Sequence, residues 1–292
     1  KPPLLDPALM RRLERLHLVN RRMIRGTQAG KRRSRHGGSS LDFNDYRLYT
    51  PGDDLRQLDW PAYARTGKLF LKTFLDEREW HLSLYLDLSK SMAFGSPSKF
   101  HLQQQVAAAL GFLTLHHVDR LSVYAFRDQL EAKLTNLWGK GKLREFLYFL
   151  DGLKPGKTGS LNKALTQHQA LPKRPGLAII LSDFFFEDGY QEALRLVQAA
   201  RQEVLLVHIL AEEELDPHLE GDIRLVDSET KAGRDVSLSP SLLANYRKAL
   251  RDYQGELSSF ARKRGMGYLQ VATSQSLEQI IYGIFQPAGW LR

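Results

Sequence analysis

The stretch HLSLYLDLSKS, residues 81–91, decides the fold. Its first six residues form a mainly apolar run of the length of a buried strand, and an Asp-x-Ser-x-Ser loop follows directly. A buried strand that ends in polar residues is typical of a parallel α/β sheet, in which ligands bind at the carboxyl ends of the strands. The stretch therefore predicts both a sheet and the edge of that sheet where a site would lie.

Apolar strands and amphipathic helices alternate along the chain after residue 80. This alternation predicts a doubly wound α/β fold, a mainly parallel sheet with helices on both faces. The weakly apolar segment 128–134 predicts an antiparallel edge strand. The predicted strands are His81–Leu86, Leu121–Phe126, Leu177–Leu181, Val204–Leu210 and Tyr268–Val271. The predicted helices are Lys99–His117, Leu143–Leu150, Leu161–Ala170, Tyr190–Gln202, Pro240–Arg264 and Leu277–Phe285.

Two shorter zones precede this alternation. Residues 1–36 combine an amphipathic helix, predicted within residues 6–25, with a linker rich in Gly, Ser and basic residues. Residues 37–79 contain turn residues and an alternating stretch at 69–74, which predict a small strand-containing subdomain. We therefore expect a basic arm at 1–36, the subdomain at 37–79 and the α/β domain at 80–292.

All of the net positive charge lies in the arm. The 292-residue chain has 42 Lys and Arg against 33 Asp and Glu, a formal net charge of +9. Residues 1–36 contain 11 of the basic residues and two of the acidic ones, so the rest of the chain is charge-balanced. Binding to nucleic acid or to an anionic surface is therefore a hypothesis for the arm alone. The arm has no Phe, Tyr or Trp, which argues against stacking on single-stranded bases.

The composition excludes several kinds of site. The chain has no Cys, which excludes disulfides, thiolate metal sites and a Cys nucleophile, and which fits a reducing compartment. No apolar run approaches the roughly 18 residues of a membrane span, and the first residues lack a signal-peptide pattern. We expect a cytoplasmic protein, with peripheral association at the inner membrane face as the alternative.

Polar side chains follow two of the predicted strands. Asp87, Ser89 and Ser91 follow the first strand, and Asp183 follows the strand at 177–181. Carboxylate and hydroxyl oxygens are the ligands that hard cations prefer, and Mg²⁺ often keeps several waters beside one or two carboxylates. These residues predict a site for Mg²⁺, or for Mn²⁺ or Ca²⁺. The alternative is that the Asp-x-Ser-x-Ser loop only caps a helix or forms a turn.

Two motifs resemble those of known families. The segment SLDFNDYRLYTPGDDLRQLDW, residues 40–60, resembles the signature of the bacterial domain-of-unknown-function 58 family. The Asp-x-Ser-x-Ser loop and the later Leu-Ser-Asp at 181–183 are similar to the metal-ion-dependent adhesion site of von Willebrand factor A domains. In that bacterial family the signature precedes a von Willebrand A-like domain, so the resemblance covers about residues 37–292. It implies association with MoxR-type AAA+ ATPases in a chaperone-like or maturation role.

The resemblance also implies a role for each residue of the metal motif. Ser89 and Ser91 would contact the ion directly, and Asp87 and Asp183 would act directly or through water.

A threonine usually completes such a site, and here the sequence departs from the pattern. The threonine position is occupied by Gly159, which Thr158 and Ser160 flank. Either hydroxyl could substitute after a shift of one residue, or water could fill the position. A weak or absent metal is therefore the alternative to a complete site.

The signature segment contains a cluster of charged and aromatic residues: Asp53, Asp54, Arg56, Asp59 and Trp60. Its Pro-Gly-Asp-Asp sequence is typical of a turn. We favour a structural role, in which ion pairs pin the subdomain to the main domain, over direct ligand binding.

Three aromatic residues, Phe184, Phe185 and Phe186, follow the second strand-end Asp. Core packing is one interpretation, but three successive side chains leaving a strand cannot all point inward. We therefore also expect this run to supply an apolar contact for a partner beside the site.

These observations favour a non-catalytic, metal-dependent protein-interaction module. A cation held mainly by neutral hydroxyls and water keeps positive charge, so it can attract an acidic side chain of a partner protein. The alternative is binding of nucleic acid or an anionic surface through the arm. A metal-dependent hydrolase using Asp87 and Asp183 ranks third, because no motif positions a His or Glu as a general base.

Overall fold

The structure is a computed structural model, and it describes residues 3–19, 42–50, 58–75, 81–156, 158–217, 222–226, 233–237 and 240–292. Contacts between Cα atoms divide the chain into two units: Lys1–Gln28 together with Trp80–Arg292, and Ala29–Glu79. The first residues thus belong to the same unit as the sheet, whereas the sequence analysis separated residues 1–36 from it.

Strands and helices alternate along the described residues. The strands are β1 (Asp42–Leu48), β2 (Phe70–Leu75), β3 (His81–Asp87), β4 (Arg120–Phe126), β5 (Leu130–Trp138), β6 (Gly176–Ser182), β7 (Gln202–Leu210), β8 (Asp222–Val226), β9 (Gly233–Ser237) and β10 (Gly267–Ala272). The α-helices are α1 (Pro7–Leu13), α2 (Trp60–Thr66), α3 (Lys99–His116), α4 (Leu143–Gly152), α5 (Leu161–Leu165), α6 (Gln191–Ala199), α7 (Glu212–Leu215), α8 (Pro240–Lys263) and α9 (Leu277–Ile280).

The larger unit is a mixed α/β structure on a six-stranded, mostly parallel sheet. The strand order is β10-β7-β6-β3-β4-β5, and only β5 runs antiparallel to its neighbour within this sheet. The predicted antiparallel edge strand is thus confirmed, although it extends to Trp138. The chain adds β4 and β5 on one side of β3 and then β6 on the other, so the strand order reverses between β3 and β6.

The core lies on both faces of this sheet. Successive side chains of a strand point to opposite faces, and β3 follows this rule: Leu82, Leu84 and Leu86 join one buried apolar cluster, whereas Tyr85 joins another. The first cluster contains α3 and α4, and the second contains residues of α5 and α6. Both faces of β3 are therefore closed to solvent, so its carboxyl end is the place for a ligand.

Helix α3 differs from the amphipathic helix that was expected. It is buried along almost its whole length, from Lys99 to Leu115. Helices α1, α4 and α9 pack against it and cover the sides that do not face the sheet. A helix covered in this way needs apolar residues all round, which is the pattern of its AAALGFL segment.

The N-terminal helix is shorter than expected. The prediction was a helix within residues 6–25, whereas α1 spans Pro7–Leu13, with Asp6 accepting a capping hydrogen bond from the backbone N–H of Ala8 at 3.1 Å. After α1 the backbone of His17 exchanges two hydrogen bonds with Arg292, at 2.8 and 3.0 Å. Pairing with the end of the chain is incompatible with helix, which explains the early stop. Residues 20–25 lie outside the described residues.

Other differences are local. The predicted helix at 161–170 divides into α5 and a 3₁₀ turn at His168–Ala170, and the one at 277–285 continues from α9 as a π-helical turn, Ile281–Phe285. The antiparallel pair of β8 and β9 was not predicted.

In the smaller unit, β1 pairs antiparallel with β2. No helix in the described part of the chain has both the length and the apolar character that crossing a bilayer requires.

Candidate functional site

The candidate site lies where the strand order reverses. β3 and β6 are parallel neighbours with Leu86 opposite Leu181, so Asp87 and Ser182 leave the sheet side by side. In open α/β sheets the crevice outside such a reversal point is the usual place for a ligand. The structure thus brings the two predicted loops together at this edge.

Asp87 is fully buried, and both its carboxylate and its backbone make hydrogen bonds. One carboxylate oxygen, Oδ1, accepts from the backbone N–H of Ser89 at 2.7 Å, and Oδ2 accepts from the hydroxyl of Ser182 at 2.6 Å. The amide of Gln103 on α3 brackets the Asp87 backbone, because it accepts from its N–H at 3.2 Å and donates to its carbonyl at 3.0 Å. The carboxylate is therefore positioned by β3, β6 and α3 together.

Burial leaves the Asp87 charge poorly compensated. Loss of hydration, followed by repulsion from Asp183, raises the pKa of Asp87 to about 7. The hydrogen bonds from Ser182 and Ser89 act in the opposite direction but do not cancel this rise. A carboxylate in this position is stabilised by any positive charge placed beside it.

Ser89 and Ser91 present two hydroxyls next to this carboxylate. Their Oγ atoms lie 3.0 Å apart; Ser89 is buried and Ser91 is half-buried. A six-coordinate Mg²⁺ with ligands at about 2.1 Å places neighbouring oxygens about 3.0 Å apart. Ser89 also precedes a 3₁₀ turn at Lys90–Ala93, but its side chain makes no capping hydrogen bond. The spacing fits a cation, and it is also that of a hydrogen bond between the two hydroxyls. The capping half of the alternative is not observed at Ser89, whereas the turn half is, because the Asp87 carboxylate accepts from the N–H of Ser89.

The cation would depend on these hydroxyls. Within the described residues, no three His, Asp or Glu side chains are grouped so that they could hold a metal ion. The donor set available at this edge is two hydroxyls, with the carboxylates of Asp87 and Asp183 beside them. This set fits Mg²⁺, which retains water in the remaining positions.

The position expected for threonine is closed to a side chain. A Cβ atom built on Gly159 would lie 2.7 Å from the Cβ of Ser89 and 3.6 Å from Oδ1 of Asp87. The loop backbone therefore packs directly against the serine, and only glycine allows this approach. A threonine here would push Ser89 out of place.

The two neighbours of Gly159 differ in their surroundings. Ser160 accepts from the N–H of Lys163 at 3.1 Å as the N-cap of α5, and its hydroxyl donates to Asp188 at 2.5 Å. Thr158 is exposed to solvent. The Ser160 hydroxyl is thus engaged in holding α5, and the choice between Thr158, Ser160 and water at the threonine position stays a prediction.

Asp183 is paired with a buried ammonium. Its Oδ2 accepts from Nζ of Lys99 at 2.7 Å, and the same Nζ donates to Oε1 of Glu214 at 2.6 Å. The Lys99 side chain has no exposed surface. Burial lowers the pKa of Lys99, but Asp183 and Glu214 more than offset this effect, so its pKa lies above the ordinary value. Lys99 therefore stays charged inside the protein.

The run of three phenylalanines divides between core and surface. Phe184 and Phe186 are buried in the core, so they are not available for the partner contact that is expected of this run. Phe185 is 39% exposed and, with the half-exposed Phe94, covers Lys99, whose Nζ lies 5.5 and 5.9 Å from the two ring centres. Only Phe185 keeps the predicted role.

The signature cluster contributes a helix cap. Asp59 is buried, and its carboxylate accepts from the N–H of Ala62 at 3.0 Å at the start of α2, a structural role. Trp60 is 60% exposed. Asp53, Asp54 and Arg56 lie outside the described residues.

Sequence reasoning missed the residues that surround the predicted ones. Lys99 begins a predicted helix, and Glu214 belongs to an acidic run, EEE, of the kind that usually faces water. Gln103 carries no motif of its own, and its only sequence signal is indirect: a polar residue on a helix that must be buried. Ser182 belongs to the Leu-Ser-Asp motif at 181–183, but its hydrogen bond to Asp87 was not predicted.

Comparison with known proteins identifies the relatives of the chain. Residues 45–256 match the family described as "Protein of unknown function DUF58". An uncharacterized protein of Mycobacterium tuberculosis is 27% identical over 275 residues, which are 92% of this chain and 86% of that protein. One from Mycobacterium avium is 28% identical over 120 residues, 41% of this chain and 70% of the other.

Two solved structures match parts of the chain at low similarity. The conserved hypothetical protein BatB of Bacteroides thetaiotaomicron is 15% identical, with a TM-score of 0.42, over 72% of this chain and 98% of that one. An uncharacterized membrane spanning protein of Vibrio fischeri is 18% identical, with a TM-score of 0.23, over 70% of this chain and 96% of that one.

Proposed function

This chain belongs to the family described as protein of unknown function DUF58, and we propose that it is a non-catalytic protein-interaction module that depends on a divalent cation. The observation that carries the proposal is the 3.0 Å spacing of the Ser89 and Ser91 hydroxyls beside the buried Asp87. A bound cation supplies an open coordination position for a carboxylate of a partner protein.

The strand order supports the finer part of the fold proposal. We propose a doubly wound, von Willebrand A-like arrangement, because the sheet runs β10-β7-β6-β3-β4-β5 with a reversal at the candidate site and a core cluster on each face. In such an arrangement the Asp-x-Ser-x-Ser loop after β3 is the metal-binding loop.

Each residue of the site has a task in this proposal. Ser89 and Ser91 hold the cation directly. Asp87 orients the loop through the N–H of Ser89. Asp87 and Asp183, which directly follows β6, balance the charge of the cation. Phe185 offers an exposed apolar surface at the side of the site for the residue that flanks the partner's carboxylate.

The surroundings favour binding over catalysis. His208 is a candidate general base by position, because its ring lies 6.1 Å from that of Phe185. It is, however, fully buried, and burial lowers its pKa to about 4, so that it stays neutral at physiological pH. A buried neutral ring of this kind cannot reach a water or a substrate outside Phe185.

We propose a MoxR-type AAA+ ATPase as the partner, on the cytoplasmic side where ATP is available. This part rests on the resemblance of the signature segment and of the metal loop. The chain would act as an adaptor that presents an acidic segment to the ATPase or binds one from it. The ATPase would supply the energy through ATP hydrolysis.

The proposal predicts loss of binding when the two hydroxyls are removed. Ser89→Ala with Ser91→Ala should weaken binding to a purified MoxR-type ATPase from the same cell by at least about tenfold in Mg²⁺, since two direct ligands are lost. Binding by the unmodified protein should fall equally when Mg²⁺ is replaced by a chelator. Surface plasmon resonance measures both.

Ser83→Ala is the matched control. It removes a buried hydroxyl of β3 that has no hydrogen-bond partner, so binding should not change. Equal binding by the unmodified protein with and without Mg²⁺, or equal binding by the double variant, would rule out the metal-dependent contact.

A further inference from the structure

Lys99 is the most unusual charged residue of the described structure. Its side chain is fully buried, and its ammonium donates to two carboxylates, those of Asp183 and Glu214. Lysine is almost never fully buried unless it is paired, because its charge loses hydration. A buried ion pair adds little stability compared with apolar residues of the same size, so stability alone does not explain this arrangement.

The neighbours of the Lys99 ammonium fix its position. The second oxygen of Glu214 accepts from the N–H of Ala211 at 2.8 Å, which fixes this carboxylate at the start of α7. The rings of Phe94 and Phe185 cover Nζ on the outside. Lys99 therefore cannot swing out into solvent without breaking contacts with both β6 and α7.

The charges of four side chains at this edge of the sheet leave a net negative charge of two. At pH 8.5, above the pKa of Asp87, the carboxylates of Asp87, Asp183 and Glu214 contribute three negative charges and Lys99 contributes one positive charge. This leaves two negative charges at an edge where Asp87, Asp183 and Lys99 are buried and the Glu214 side chain is 15% exposed. One divalent cation balances this charge. Without Lys99 the same cluster would carry three negative charges, and without Glu214 it would carry one.

We propose that Lys99 is a built-in cation that sets the charge of the site and so matches it to a divalent ion. Glu214 is its counterpart: it raises the negative charge by one from outside the metal loop. The inference rests on the proposed function for the identity of the ion, but the role of Lys99 in fixing the charge is independent of any partner.

The two members of the ion pair should affect cation binding in opposite directions. In titration calorimetry at pH 8.5, Lys99→Met should bind Mg²⁺ at least about tenfold more tightly and should bind Tb³⁺ still more tightly, since a nearby positive charge is gone. Glu214→Gln should bind Mg²⁺ at least about tenfold more weakly. The double variant restores two negative charges, so its Mg²⁺ affinity should return to within about threefold of the unmodified protein.

A purely structural ion pair predicts a different pattern. Both single variants would then weaken binding or leave it unchanged, and the double variant would be no better than either; this result would overturn the inference. If Lys99→Met fails to fold, as judged by circular dichroism, Glu214→Gln decides alone, and unchanged Mg²⁺ affinity in that variant would overturn the inference.

The same titrations separate this inference from the proposed function. If the unmodified protein binds no Mg²⁺ but Lys99→Met does, the metal dependence is wrong and the role of Lys99 as internal cation stands. If the unmodified protein binds Mg²⁺ and the single variants do not differ from it, the role of Lys99 is wrong and the metal dependence stands. If no variant binds Mg²⁺ or Tb³⁺, both are wrong.

Discussion

Replacement of Asp87 by Asn should stabilise the metal-free protein at pH 8 by roughly 2 to 4 kcal/mol and should abolish its Mg²⁺ binding. The ionised carboxylate is fully buried beside Asp183, and its pKa is raised from 3.8 to about 7. An amide of the same shape carries no charge, so this cost disappears, and the loss of one of the two hydrogen bonds that the carboxylate accepts offsets part of the gain. The stabilised variant should lose function, because the charge that costs stability is the charge that attracts the cation.

The sign of the pH dependence follows from the raised pKa. The folded protein holds the Asp87 proton more tightly than the unfolded chain does, so stability falls as the pH rises from about 4 to about 7. About half of the folded molecules have lost this proton at pH 7, and the loss of stability is complete about one pH unit higher.

Urea denaturation at pH 5 and pH 8 in the presence of a chelator measures the effect. The free energy of unfolding of Asp87→Asn should exceed that of the unmodified protein by clearly more at pH 8 than at pH 5. Addition of Mg²⁺ at pH 8 should stabilise only the unmodified protein. An identical difference at both pH values would mean that Asp87 does not carry the buried charge.

Removal of residues 1–19 should unfold the larger unit at 25 °C. This segment buries five apolar side chains: Leu5, Leu9, Leu13, Leu16 and Val19. Burial of each contributes about 1.5 to 3 kcal/mol, and the whole stability of a typical domain is about 5 to 15 kcal/mol. Truncation would also expose α3, which α1 covers, and would free Arg292 from its pairing with His17.

Circular dichroism and thermal unfolding of the truncated chain test this expectation. Leu13→Ala should cost about 2 to 5 kcal/mol by itself, because Leu13 is fully buried. A truncated protein that unfolds cooperatively at the original temperature would show that the segment is not part of the core.

The same geometry dictates how the nucleic-acid alternative must be tested. A deletion of the basic arm would destroy the core, so any loss of binding would be ambiguous. Arg11 and Arg15 are exposed, and their replacement by Gln should change stability by no more than about 0.5 kcal/mol. These substitutions remove positive charge without removing Leu9 or Leu13.

Local patterns were sufficient for most of the larger unit. The apolar runs at β3, β4, β6, β7 and β10 identified the strands of the sheet, because a parallel strand buried on both faces has few alternatives. The strand-end position of Asp87 and Asp183 followed from the same pattern. Residue spacing along the chain therefore predicts the edge of the sheet where the candidate site lies.

Long-range contacts account for the parts that sequence reasoning did not reach. The helix predicted within residues 6–25 ends at Leu13 because the chain pairs with Arg292, which is far away in sequence. The role of Gly159 depends on its distance to Ser89, and that of Lys99 depends on Glu214, 115 positions later. Such pairs leave no periodic trace in a single sequence.

Anomalous diffraction from crystals grown in Mn²⁺ tests the central claim most directly. We expect one Mn²⁺ peak per chain, within coordination distance of the Ser89 and Ser91 hydroxyls and next to Asp87 and Asp183, and no such peak in crystals of Ser89→Ala with Ser91→Ala. The absence of a peak at these hydroxyls in the unmodified protein, at a Mn²⁺ concentration that saturates ordinary magnesium sites, would contradict the account.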